Sequence, residues 1–306
     1  MPMMTLNVTI RRGFTLIELM VVIVILGLVA SLLIVTAGSI SSTAKSSKDS
    51  SNLRAIARAN ASHAIDNKER LFSPRTEPHT GTGPDNPSST VEQIRRMWVH
   101  AFNDNVDDLG NSRIEIQAAL TKGAAWEYLG DATAYKSPLD STERIRSYSL
   151  NAFIGVDRCA DEYPQMSGVF VPAFNTRYRV ACQTSADIPQ PGMTICAIGE
   201  VDFGQAGYAE TSNINGWLVS PNPNMPIWKD TPALWNGNRV NISLMDGSVD
   251  TIVLQQAELI RNKVAQTGSS HNIMIGATDQ DKVDFQAFNS RLLPGVLNYR
   301  TAADQE

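Results

Sequence analysis

Cysteine is scarce. The 306-residue chain has three, Cys159, Cys182 and Cys196, too few for a disulfide scaffold and odd in number, so at least one thiol stays unpaired within the chain. A Cys159–Cys182 bridge is open to the first two, whereas Cys196 lies in the apolar run 194–198 and reads as a small buried hydrophobe. The histidines, His63, His79, His100 and His271, are scattered, and neither His-Glu-x-x-His nor Cys-x-x-Cys occurs, so a zinc site finds no ligands at the usual spacing. Gly-x-Ser-x-Gly and Gly-x-x-x-x-Gly-Lys are missing as well, which removes the commonest handles of a hydrolase or nucleotide enzyme. Ser42-Thr43-Ala44-Lys45 fits the Ser-x-x-Lys pattern of penicillin-binding enzymes but stands without companion motifs. Net charge is -5 with no downstream Lys/Arg cluster, which argues against a dedicated nucleic-acid binder.

Two more absences shape the N-terminal part. Nothing charged occurs from Leu19 to Ala44, and Leu19 to Val35 is nearly continuous Leu, Ile, Val, Met and Ala. Crossing a bilayer takes about 20 such residues. Arg11 and Arg12 would hold the N-terminal end in the cytoplasm and leave everything after residue 45 outside. Val35-Thr36-Ala37 also fits the end of a secretory signal, but that reading leaves Glu18 unexplained. An acid within an apolar helix costs about 2.5–3.5 kcal/mol at mid-bilayer and needs a reason to be there. Proline, too, is missing between Phe14 and Phe72, so one nearly continuous helix of up to ~60 residues is expected, interrupted at most by Gly27 and Gly38. In its second half Leu53, Ile56, Ala57, Ala61, Ala64, Ile65 and Phe72 recur at helical spacing, with Arg54, Arg58, Asn60, Asp66 and Lys68 between them, predicting one face packed on a head. Ser39 to Ser51 is Ser/Thr/Lys-rich and reads as a frayed or exposed section.

Arg11-Arg12-Gly13-Phe14-Thr15-Leu16-Ile17-Glu18-Leu19 resembles the processing site of type IV prepilins and type II secretion pseudopilins. The resemblance implies that a membrane-embedded prepilin peptidase cuts after Gly13 and methylates the new N-terminal Phe14. It implies, too, that Glu18 pairs with the Phe14 amine of a neighbouring subunit in a filament. Such a pair would make the buried acid tolerable and fix the register between subunits. The bland alternative is a signal anchor that happens to contain an acid.

Beyond the helix, 73–90 carries Pro74, Pro78, Pro84 and Pro87 and reads as a loop; Thr90 then caps a short helix whose Val91, Ile94, Trp98, Ala101 and Phe102 share a face. Strands are expected at 146–155, 168–174, 177–182, 193–203 and 240–254. In the last, Asp246-Gly247 joins 240–245 to 248–253 as a type I′ hairpin. A helix near 256–265 and a tail complete the chain. Trp217, Trp228 and Trp235 in the Pro/Asn-rich stretch 215–238 read either as a partner-binding loop or as packing.

Some of these pieces are similar to a large pseudopilin-like family abundant in planctomycetes. Ser137-Pro138-Leu139-Asp140, followed by Ser147-Tyr148-Ser149-Leu150-Asn151, resembles that family's Cys-Pro-x-Asp and Ser-Tyr-x-x-Asn. Pro191-Gly192-Met193-Thr194-Ile195 with Glu200 resembles its proline-to-glutamate strand, and Asn236 through Gly247 its His-x9-Asp-Gly motif. Ser137 replaces the family's cysteine and Asn236 its histidine, which weakens any chemistry needing a thiol or imidazole there.

The expectation is therefore an α+β, pilin-like chain, whose long N-terminal helix, transmembrane in its first half, packs on an antiparallel sheet. Its parts are a leader 1–13, an assembly helix 14–38, an amphipathic continuation 39–72 and a periplasmic head 73–306. It would be a non-enzymatic pseudopilin or minor pilin, with prepilin peptidase, like subunits and an inner-membrane assembly platform as partners and nucleic acid not among them. It would be anchored once in the bacterial inner membrane, N-terminus cytoplasmic, before entering a filament. The large head points to a minor subunit. No cofactor is required; calcium, which some pseudopilins bind in the head, has Asp202, Asp246 and Asp250 as candidate ligands, without EF-hand spacing. The competing classes are a single-pass anchored enzyme or binding protein, and an adhesin or DNA-uptake minor pilin.

Overall fold

A computed structural model describes residues 15–76, 89–100, 117–155, 182–201, 216–220, 226–274 and 279–294, without the side chains of 32–40, 272 and 279–281. Two compact units emerge, Met1–Ala44 and Lys45–Glu306, and helix α1, Leu16–Asp66, contributes to both.

In the first unit the large apolar side chains from Leu16 to Val29 are exposed on every side of the helix, Leu16 to 79% and Leu28 to 62%. Among the described residues no helix is long and apolar enough to cross a membrane.

The second unit is α+β. Its part of α1 buries Asp49, Asn52, Leu53, Ile56, Ala57, Asn60, His63 and Ala64 along one stripe. Two expected members of that stripe, Ala61 and Ile65, face solvent instead, and Asn60 takes an interior place. Asn60 earns its burial by accepting from the Phe72 backbone N–H at 2.8 Å. The Ser/Thr/Lys-rich section is helical throughout. The helix stops before Phe72 because Lys68 and Glu69 turn left-handed, at φ +56° and +66°, and Glu69 N–H donates back to Ala64 C=O.

After the helix come α2 (Val91–Arg95), α3 (Gln117–Lys122), α4 (Trp126–Leu129), β1 (Tyr148–Leu150), β2 (Ile195–Val201), β3 (Ile227–Pro232), β4 (Arg239–Leu244) and β5 (Val249–Val253). Helix α5 (Ala257–Thr267), β6 (His271–Met274) and α6 (Asp279–Asn289) follow. The strands form one antiparallel sheet in the order β5-β4-β2-β3-β6, with β1 paired to β2.

Thr90 caps α2 through a box with Gln93, as expected, but the helix ends at Arg95 and buries none of its residues. Trp98 is buried outside it, because Ser73 pairs with this segment: Ser73 N–H donates to Arg96 C=O, and Trp98 N–H to Ser73 C=O. The 240–254 hairpin forms, yet not as a type I′ turn. Gly247 alone of the pair has positive φ (+87°), while Asp246 Oδ1 accepts from Ser248 N–H at 2.9 Å. The result is a three-residue loop with glycine in the left-handed position.

Trp217 and Trp228 are fully buried, which rules them out of an exposed partner loop. They pack on Phe288 at 5.5 and 5.3 Å, and Trp228 also meets Phe285 at 5.9 Å. Each such ring pair adds about 0.5–1.5 kcal/mol beyond its area. The expected tail is in part helix α6, which delivers both phenylalanines, with Leu292 and Leu293 closing the same core. Strands expected at 168–174 and 177–181 lie outside the described residues, as does Cys159. Cys182 is a buried thiol that donates to Asp187 C=O, and the bridge considered to Cys159 falls outside the described residues. Burial pushes the thiols of Cys182 and Cys196 up to about 12.

Candidate functional site

Three places in the chain carry candidate functional residues. The first is the start of α1. Gly13 and Phe14 lie outside the described residues; Thr15 and Glu18 are described. Glu18 N–H donates to Thr15 Oγ1 at 3.2 Å, and Glu18 Oε2 accepts from both Thr15 N–H and Thr15 Oγ1–H at 2.8 Å. This is a reciprocal capping box, four residues long, that satisfies two of the amide donors a helix start leaves orphaned. Thr15 therefore has a local reason to accompany Glu18, which the sequence reading did not identify although Ser/Thr-x-x-Glu before an apolar run is its signature.

The second place lies within the second unit, where the motif-like segments of the head meet around Asp49. The Asp49 carboxyl, 5% exposed, accepts from Ser137 Oγ at 2.6 Å, Tyr148 OH at 2.8 Å and Asn241 Nδ2 at 2.8 Å. One turn earlier, Ser46 Oγ accepts from Asn236 Nδ2 at 3.2 Å. One turn later, Asn52 Nδ2 donates to the carbonyls of Thr133 and Lys136. Burial, then the neighbouring Asp49, holds the Tyr148 hydroxyl well above the usual phenol range.

The same segments are tied to one another. Asp140 accepts from Ser147 Oγ at 2.6 Å, from Thr142 and, at 2.8 Å, from Arg144. Burial works to raise the Asp140 carboxyl, but Arg144, Ser147 and Thr142 outweigh it and hold the group below its ordinary value. Asn151 Nδ2 donates to the carbonyls of Ile195 and Leu292. Asp49 was missed, although it is the one acid between Glu18 and Asp66 and stands four residues before Leu53, on the buried stripe.

Beside this junction is a cavity of about 10 Å³ lined by Asp49, Trp235, Asn236 and Asn241 among others, room for about one water. It does not match the several hundred Å³ of a small-molecule site.

The third place is a trio that the sheet assembles from distant positions. Asp230 and His271 are direct partners across β3 and β6, and Glu200 on β2 faces Pro232, two residues from Asp230 on the same side. Ligand-type atoms of Glu200, Asp230 and His271 all lie within 4.8 Å of one another. Sequence spacing hides this set, since 30 and then 41 positions separate its members and only the cross-strand register joins them. The candidate calcium ligands are described only in part. Asp202 lies outside the described residues, Asp246 caps its own turn, and Asp250 accepts from Arg291 at 3.1 Å.

No curated protein and no solved structure matches the chain. Residues 9–34, the stretch that holds Gly13, Phe14 and the Thr15–Glu18 box, match the family described as the prokaryotic N-terminal methylation motif.

Proposed function

We propose that the chain is a type IV pilin-like structural subunit, a pseudopilin or minor pilin, whose α1 leaves the inner membrane to join a helical bundle of like subunits. The observation that carries this reading is a helix exposing apolar side chains on every face from Leu16 to Val29, with one acid at its very start. A helix apolar all round is stable only in lipid or among similar helices. The methylation-motif match supports cleavage between Gly13 and Phe14 by prepilin peptidase.

Cleavage removes Arg11 and Arg12 and creates an ammonium group one residue before Thr15. In the isolated chain Glu18 is occupied by its own capping box. On assembly, the carboxylate exchanges one local donor for the Phe14 ammonium of a neighbour. The local box holds the acid in a defined place until then, and the ion pair selects the register. Packing of the apolar side chains supplies the cohesion, about 1.5–3 kcal/mol for each one fully buried. The head acts as an outward-facing, non-catalytic module whose Asp49 junction fixes its share of α1 to the sheet.

Intact-mass measurement of protein from native membranes tests the reading. A chain beginning at methylated Phe14 is expected; a chain that keeps its leader in the envelope refutes it and favours a permanent single-pass anchor. Glu18→Ala should be processed normally yet fail to enter filaments.

A further inference from the structure

Independently of how the N-terminal helix is used, the geometry points to a divalent transition-metal site at Glu200, Asp230 and His271, with Zn2+ as the best-suited ion. Two of the three are carboxylates 2% and 6% exposed, and the third is an imidazole whose side chain is 7% exposed. His271 Nδ1 stands 2.9 Å from Asp230 Oδ1, and the ligand-type atoms of all three fall within 4.8 Å. Ligands held about 2.0–2.2 Å from Zn2+ in a tetrahedron lie roughly 3.3 Å apart, so small side-chain rotations bring the set onto one ion.

The donor set selects the class of ion: one nitrogen with two carboxylate oxygens suits Zn2+ or Mn2+, whereas Ca2+ takes six to eight oxygens. The scaffold is fit for it, because the ligands come from three adjacent strands instead of loops, and Asp230 Oδ2 is aimed by the Leu218 N–H at 3.0 Å. Among the described strands, β6 ends its side of the sheet path. Three protein ligands leave a fourth position for water, as in zinc sites that are not closed. On metal entry His271 Nδ1 gives up its contact with Asp230.

The test uses the full chain in detergent micelles, stripped with chelator and titrated with Zn2+, Mn2+ and Ca2+ by calorimetry, with metal content read by mass spectrometry. One Zn2+ per chain is expected, with a higher Tm in its presence and weaker binding of Ca2+. Glu200→Gln and His271→Gln should each weaken Zn2+ binding by at least about tenfold, while Asp246→Asn, in the exposed hairpin turn, leaves it unchanged. If either ligand variant fails to fold, the other decides the matter by the same titration. Absence of saturable one-to-one binding, binding that survives both ligand variants, or binding lost in Asp246→Asn would each overturn the site.

Discussion

Replacing Asp49 by alanine removes the shared acceptor of three buried donors, Ser137 Oγ, Tyr148 OH and Asn241 Nδ2, which approach it at 2.6–2.8 Å. Leaving a buried polar group unsatisfied costs about 1–3 kcal/mol. The three are not independent, since Ser137 and Tyr148 share Oδ1 and the cavity beside Asp49 admits about one water. The expected loss is therefore about 3–5 kcal/mol instead of the full sum. For a unit of this size each kcal/mol moves Tm by roughly 2–4 °C, so the melting transition should fall by roughly 6–20 °C. Thermal unfolding of the full chain in detergent, followed by tryptophan fluorescence, reads this directly because Trp98 and Trp217 are buried in the same unit. Tyr148→Phe removes one donor and leaves the acceptor in place, and should lose only about 1 kcal/mol. An Asp49→Ala protein melting within ~2 °C of the parent, against that 2–4 °C for each kcal/mol, would mean that the junction contributes nothing to stability and would refute the reasoning.

Three other outcomes follow from single features. Gly155→Ala should destabilise by several kcal/mol and lower soluble yield, because φ is +72° and a Cβ would sit 1.7 Å from the Phe72 carbonyl oxygen; chemical denaturation measures it. Burial, with help from Arg96, lowers His63 to about 4, while its Nδ1 lies 3.1 Å from the Asn67 amide. A folded value below the unfolded one means that the unfolded chain binds the extra proton, so stability should fall as pH drops from about 6.5 towards 4. His63→Gln should flatten that slope in Tm measured against pH. Thr15→Val breaks the capping box and should cost the start of α1 about 1 kcal/mol, seen as faster amide exchange there, while cleavage at Gly13 proceeds unchanged.

The long helix, the Thr90 cap, the Asp246-Gly247 hairpin and the α5 segment were legible because each rests on local chemistry: missing prolines, a hydroxyl three residues before an amide side chain, a glycine in a turn. What stayed hidden was set by partners far along the chain. Asn60 looks like a surface residue until Phe72 needs an acceptor, and Ile65 looks like core until the helix stripe turns away from it. Trp228 sits in a Pro/Asn-rich stretch that hides a strand, because β3 is defined by pairing with β2 and β6 more than by its own alternation. The motif-like segments at 137–151 and 236–247 were visible, but their common target was not, since nothing in them names a residue on α1. The Glu200, Asp230 and His271 set is an extreme case, assembled only by the register of three strands.

The contacts from Ser46, Asp49 and Asn52 give this part of α1 a rotational phase. Every residue added or deleted between Asp49 and Asn60 would turn the two ends about 100° relative to each other, so that either the carboxyl of Asp49 or the amide of Asn60 swings off its partners. Length variation should therefore be purged from that interval.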